Sequence, residues 1–274
     1  MFPDYGPAVW YKTVINNRDV LQQAQSITLW VGSNLEEQVL IPFMVYFMKL
    51  IKAEHVPINV IEFKPFPSGR SNAIGLFSEE ELKNHPIALR LTPEMIAIYY
   101  AVWLAICSDT PDRLVSLVND SAYNLPRLQK ALKALLRRYP SKETGLLNWD
   151  FVLLKNIKQQ GPSVIRVIGF SMTEYFDQVD GDEDWISDTY LWERIQQMAM
   201  YPIPLVSISP KISDNTPFGV YQAHLTAFGE QVLKGEKSAY PTCPIDDWIG
   251  GVHLSSAENR LWLYEAGRLL NGAV

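Results

Sequence analysis

Two short apolar, β-branched runs, SITLWV (residues 26–31) and PINVIEF (57–63), flank a longer segment that reads as one helix. Strand, turn, helix and strand over this spacing make a βαβ unit. A tight turn cannot join parallel strands, so the helix is the crossover. The expected product is a parallel sheet with helices on its faces, and the first run is expected to be buried on both sides. The turn is Gly32-Ser33-Asn34. Asn34 or Ser33 is placed to cap the helix LEEQVLIPFMVYFMKLI, whose first turn carries acids suited to a helix N-terminus. Pro42 either kinks this helix or takes a tolerated position.

The middle of the chain is helical. SEEEL (78–82) has the form of a capping box. TPEMIAIYYAVWLAI opens with Thr92 as cap and Pro93 in the first turn; its apolar run to Cys107 is too short for a bilayer and reads as a buried helix. Leu125, Leu128, Leu132, Leu135 and Leu136 recur at helical spacing, with basic residues on the other, solvated face. LLNWDFVLLKNIKQQG gives a further helix ending at Gly161. In the last third, SDTYLWERIQQMA is an amphipathic helix with Tyr190, Leu191, Ile195 and Met198 as its apolar side. PIPLVSIS, a polar turn and VYQAHL follow as two strands, and Thr226 caps AFGEQVL. Helix, strand, turn, strand is the layout of a winged domain. The expected organisation is therefore a Rossmann-like α/β domain over residues 1–110 and a mostly α, winged-helix-like half over residues 111–274.

Charge weighs on the choice of partner. From residue 175 onward there are fourteen acidic and six basic residues, in a chain whose net charge is −6. Such a half repels a phosphate backbone, so nucleic acid is not the expected partner. The two cysteines, Cys107 and Cys243, have no metal-ligand spacing and fit a reducing cytoplasm as buried or idle thiols. The N-terminus has no signal-peptide pattern. His55, His85, His224 and His253 are scattered, no phosphate-binding glycine loop or nucleophile elbow occurs, and the acidic run 180–184 lacks calcium-loop ligand spacing. No metal and no cofactor is expected.

Several stretches together resemble a bacterial family known only as domain of unknown function 1835, with its C-terminal extension. LPRLQKALKALLRRYPSKETGL is similar to that family's "LP-x-L-x-x-AL" helix and "YPS-x-x-x-GL" turn. LWVGSNLEEQVLI is similar to its strand-plus-helix element, with Gln38 beside Glu37 at the family's Gln. LTAFGEQVLKGE and IDDWIGGVHL are similar to its closing "LT-x-x-G-x-x-VL-x-G" and "D-x-W-x-GG-x-x-L" patterns. The resemblance implies an opening strand, Gly-Asp-Ser turn and helix that this sequence lacks; Asp4, Gly6 and Pro7 match the segment that normally follows, so the chain is expected to start one βα unit late. It also implies an acidic-His-acidic run where Gly32, Ser33 and Asn34 stand. Both differences fall at the C-terminal edge of the sheet, where such folds bind ligands.

Two constellations are candidate sites. Ser33, Asn34, Glu37 and Gln38 sit at a strand end and helix N-terminus, a place that offers backbone N–H groups to an anion. There Asn34 and Gln38 are expected to hold a polar ligand and to be dispensable for folding. Asp247, Trp248 and His253 flank Gly250-Gly251; Trp248 is expected to anchor the tail into the core. The function expected is that of a regulatory or accessory protein that binds a small-molecule ligand or a partner protein, with no membrane contact. The alternative is an enzyme acting on a nucleotide-like or phosphorylated substrate at the sheet edge; no catalytic residue is identified.

Overall fold

The computed structural model describes residues 15–65, 72–120, 125–178, 184–213, 216–240 and 242–272. It is a mixed α/β chain rich in helix that divides into two compact units, residues 1–105 and 106–274.

In the first unit, α1 (Arg18–Gln23) leads to β1 (Ile27–Val31), α2 (Leu35–Leu50) and β2 (Ile58–Glu62). β1 and β2 pair in parallel from Ile27 opposite Ile58 to Val31 opposite Glu62. After α3 (Glu79–Lys83), the two-residue β3 (Leu89–Arg90) adds to β2 antiparallel, through Asn59 with Arg90 and Val60 with Leu89. The sheet thus has three strands, only two of them parallel. β1 is also buried on one face rather than two: Leu29 and Val31 point inward, while Thr28 and Trp30 are exposed. On that second face Trp30 is only partly covered, by Phe63 and His85, with ring centroids 6.0 and 4.8 Å away. The expected caps are present. Asn34 Oδ1 accepts from the Glu37 N–H at 3.0 Å, Ser78 and Glu81 form a reciprocal capping box, and Thr92 Oγ1 accepts from the Met95 N–H at 3.3 Å. Pro42 lies buried within α2, whose core side carries Ile41, Met44, Phe47 and Met48. α4 (Pro93–Ile106) departs from the sequence reading. Tyr99, Val102 and Ala105 are buried at helical spacing, but Ile96 and Leu104 are 37% and 39% exposed, so only one face of this apolar helix is covered.

The second unit contains α5 (Asp112–Asn119), α6 (Pro126–Arg137), α7 (Asn148–Gln160), α8 (Val164–Gln178) and α9 (Asp188–Met200). The antiparallel hairpin β4 (Val206–Ser209) and β5 (Gln222–Leu225) follows, then α10 (Ala227–Leu233) and two further hairpins, β6 (Asp246–Ile249) with β7 (Val252–Ser255) and β8 (Trp262–Glu265) with β9 (Arg268–Asn271). The core is built from the inner faces of three helices: Trp149, Leu153 and Leu154 of α7, Val164, Val167 and Ile168 of α8, and Leu191, Ile195 and Met198 of α9. Val206, Tyr221 and Ala223 close it from the hairpin side. The link between α7 and α8 also joins the hairpin. Ser163 bridges Gln222, the Val164 N–H donates to Tyr221 O at 3.0 Å, and the Ala223 N–H donates to Pro162 O at 2.8 Å.

α10 lies so close to β4 that its glycine is obligatory. A Cβ on Gly229 would stand 2.0 Å from Leu205 O, a backbone atom that cannot yield, whereas a Cβ on Gly169 in α8 meets nothing within 4 Å. Of the two cysteines, both free, Cys243 is buried and Cys107 is exposed. Gly229→Ala should therefore lower stability by about 1–3 kcal/mol through forced displacement. Gly169→Ala should raise it by roughly 0.5–1 kcal/mol by lowering unfolded-chain entropy. Urea midpoints of the two variants against the parent check both signs.

Candidate functional site

Ser33, Asn34, Glu37 and Gln38 do converge, at the end of β1 and the start of α2, and three of them are almost wholly buried: Ser33 2%, Asn34 2% and Gln38 1% exposed. Their partner is Asn72, 0% exposed, which the sequence did not single out. The Ser33 and Asn34 N–H groups donate to Asn72 O, each at 3.1 Å, and Asn34 Nδ2 donates to the same oxygen at 2.9 Å. The Ser33 N–H also reaches Asn72 Oδ1 at 3.0 Å, and the Asn72 N–H donates back to Ser33 Oγ at 3.0 Å. Gln38 Nε2 donates to Gly32 O at 2.6 Å and to Glu62 Oε1 at 3.0 Å. The Glu37 carboxylate does more than face the helix dipole: it accepts from the Gly32 N–H at 2.6 Å and from the Ile74 N–H at 3.0 Å.

Gly32 makes this closure possible. A Cβ there would lie 2.5 Å from Asn72 O. The groups proposed to meet a ligand therefore clamp a loop instead, and a polar group already hydrogen-bonded in a buried site gains little from exchanging partners. The expectation that Asn34 and Gln38 are dispensable for folding does not fit this burial. Removing either side chain strands buried carbonyls or N–H groups, at about 1–3 kcal/mol each. Asn34→Ala and Gln38→Ala should each lower the Tm, and thermal unfolding of the single variants measures it.

The second constellation lies on the β6–β7 hairpin. Gly250 turns it at φ +60°, and the Gly251 N–H donates to Ile106 O at 2.8 Å. Side chains at 250 and 251 would meet the carbonyls of Ile106 and Cys107 at 2.4 and 2.2 Å, the close approach that paired glycines permit. Trp248 does not anchor the tail in the core. It is 63% exposed and stacks flat on His253, with ring centroids 4.5 Å apart. Alternation along β6 turns Asp247 and Ile249 inward and leaves Asp246 and Trp248 outside. His253 is engaged at both nitrogens, Nε2 with Asp246 Oδ1 at 2.6 Å and Nδ1 with Arg260 at 3.0 Å.

Asp247 leads to a cluster the sequence reading missed. Its Oδ2 stands 3.4 Å from Arg194 NH1. Arg194, 5% exposed in the middle of α9, donates through Nε and NH2 to Asp150 of α7 at 2.8 and 2.6 Å, and Asp150 is 2% exposed. Burial works against the guanidinium's charge, but the Asp150 carboxylate outweighs it and holds the Arg194 pKa above its ordinary value. Burial raises the Asp247 carboxyl, with Arg194 opposing. It also pushes the Tyr190 phenol up to about 12 and the Cys243 thiol up to about 11. One residue away, Trp149 Nε1 donates to Asp184 at 3.0 Å, and Arg138 grips the same carboxylate. Asp184 is the only described member of the acidic run 180–184, and it is buried rather than solvated; the remainder lies outside the described residues, as do Asp4, Gly6 and Pro7. The signal for Arg194 was present in the sequence, since it falls on the same helical face as Leu191, Ile195 and Met198.

Among the described residues, no group of three or more His, Cys, Asp or Glu side chains gathers where it could hold a metal ion, and no helix is long and apolar enough to cross a membrane. Comparison with known proteins finds no family model that matches the chain and no curated protein similar to it.

The Arg194–Asp150 pair is buried at both ends, and breaking it from one side leaves a buried charge. Arg194→Met should cost about 3–5 kcal/mol, and the double variant Arg194→Met/Asp150→Leu should recover much of that loss. Chemical denaturation of the two proteins provides the check; equal stabilities would deny the pair its structural role.

Proposed function

We propose that this protein is a regulatory or accessory protein that works by binding, and that its second unit is a winged-helix-like module engaging a partner protein rather than DNA. The order α7, short bridge at Ser163, α8, α9, β4, turn, β5 supports the winged reading, because the bridge supplies the extra strand pairing that such modules place beside their hairpin. The β1–α2–β2 unit supports a Rossmann-like reading of the first unit. Membership of the family of domain of unknown function 1835 belongs to the same proposal, carried by the motifs alone.

The observation that carries the protein-binding reading is the burial of Arg194. It is the only basic residue in α9, the helix that would enter the major groove, and Asp150 holds it inside. The exposed positions of that helix include Asp188 and Glu193. DNA binding draws most of its affinity from basic groups on phosphates, and here the approach is acidic. The same unit exposes Met200 (73%), Ile203, Ile212 and Val220, side chains suited to a protein interface. The alternative, an enzyme at the sheet edge, needs open polar groups where Ser33, Asn34 and Gln38 are already bound to Asn72, Gly32 and Glu62.

In fluorescence anisotropy with labelled duplex DNA at about 0.15 M salt, the protein should give no saturable binding. A sequence-specific, saturable isotherm would overturn the assignment of α9 to protein contact.

A further inference from the structure

The turn at Gly250 and Gly251 fixes the register of the β6–β7 hairpin, so that Trp248 stands opposite His253 and Asp246 opposite Ser255. Residues two apart on a strand share a face, which brings Asp246, Trp248 and His253 together on the outer side; Asp247, between them on β6, faces Arg194 on the inner side. Arg260 reaches the same outer face from the loop after β7, where it exchanges two backbone hydrogen bonds with Ser255, at 2.8 and 2.9 Å. Among the described residues, the side-chain hydrogen bonds and ion pairs of Asp246, His253, Glu258 and Arg260 are all made within this group: Asp246 with His253, His253 with Arg260, and Arg260 with Glu258. The Trp248 ring lies over the imidazole, and the His253 side chain is only 19% exposed.

These partners dictate the state of the ring. A guanidinium has N–H donors and no acceptor, so the 3.0 Å contact from Arg260 requires a bare lone pair on His253 Nδ1. The single proton of the neutral imidazole then sits on Nε2 and is donated to Asp246. The neighbours favour opposite charge states. The Asp246 carboxylate and the face of Trp248 both stabilise an imidazolium, whereas the Arg260 guanidinium opposes it. A proton added at Nδ1 would set two donors and two positive charges against each other. Arg260 can then leave at little cost, because it is already paired with the Glu258 carboxylate.

We propose that Asp246, His253 and Arg260 form a proton-operated latch on the outer face of the β6–β7 hairpin. With the imidazole neutral, the latch holds the Arg260 side chain against the hairpin. With the imidazole protonated, Asp246 and Trp248 keep the ring, and the guanidinium swings away to Glu258 alone. The face that displays the exposed Trp248 thereby changes its charge and its contacts across the pH range, 5 to 8, in which imidazole titrates. The latch does not rest on the protein-binding reading above and does not fall with it.

Nuclear magnetic resonance on the full chain tests the latch. At about pH 8, long-range proton–nitrogen spectra should show His253 protonated at Nε2 and bare at Nδ1. As the pH falls to about 5, the Arg260 side-chain Nε signal should move with the same midpoint as the His253 ring, and in His253→Gln that step should vanish. Arg260→Gln should raise the ring's midpoint by roughly 0.5–1 pH unit and Asp246→Asn should lower it by about as much, small shifts because the charges removed are solvated. The first two readouts are taken on the parent protein and need no variant. The proposal is overturned if the bare ring nitrogen is Nε2, if the Arg260 signal stays flat while His253 titrates, or if the midpoint is the same in the parent, Arg260→Gln and Asp246→Asn.

Discussion

The second unit depends on one buried ion pair. Asp150 on α7 and Arg194 on α9 meet inside an otherwise apolar core, between Trp149, Leu153 and Leu154 on one side and Leu191, Ile195 and Met198 on the other. Two charges taken out of water are tolerated only in bidentate geometry, so the pair fixes the rotation of α9 against α7. The hairpin inherits that choice. The Leu205 N–H donates to Met198 O at 3.0 Å, which places the start of β4 on the end of α9. Thr226 Oγ1 then reaches Pro204 O and Leu205 O and caps α10 against them. The adjacent Trp149 takes a second internal carboxylate, Asp184, itself held by Arg138, so two successive residues of α7 tie distant parts of the unit together.

On the winged-helix-like reading proposed above, the same pair bears on what the unit would bind. A winged-helix-like layout ordinarily offers basic residues on the helix that precedes its hairpin. Here the single arginine of that helix faces inward, and the outer face is left to Asp188 and Glu193. In the first unit a comparable internal use of polar groups closes the strand-end turn around Asn72. There, residues that read as a candidate ligand site are already hydrogen-bonded within the fold.

Local signals were legible because they are local. The caps at Asn34, Ser78, Thr92 and Thr226 follow from side chains that reach only two or three residues along the chain. The parallel pairing of β1 and β2 follows from the length of the segment between them. The β4–β5 hairpin and the close approach at Gly250 and Gly251 follow from turn chemistry. The sidedness of β1 and α4 was not legible. An apolar run states that burial is available, not which of its faces is covered, and Trp30, Ile96 and Leu104 are each more than a third exposed. Trp248 failed for a related reason: alternation along β6 gave the inward position to Asp247, and the ring found His253 at the surface instead.

By itself the sequence determined several of the helices and strands with their caps, the parallel crossover and the acidic character of the last hundred residues, since each is written in residues close together along the chain. Only the tertiary structure decided which polar groups are available. Asn34 meets Asn72 across 38 positions, Asp150 meets Arg194 across 44, and Arg138 meets Asp184 across 46. Partners that far apart leave no periodic trace in a single sequence. Whether a carboxylate or amide is a ligand group or a rivet is therefore settled by packing, which brings the two ends together and excludes the water that would otherwise have served either one.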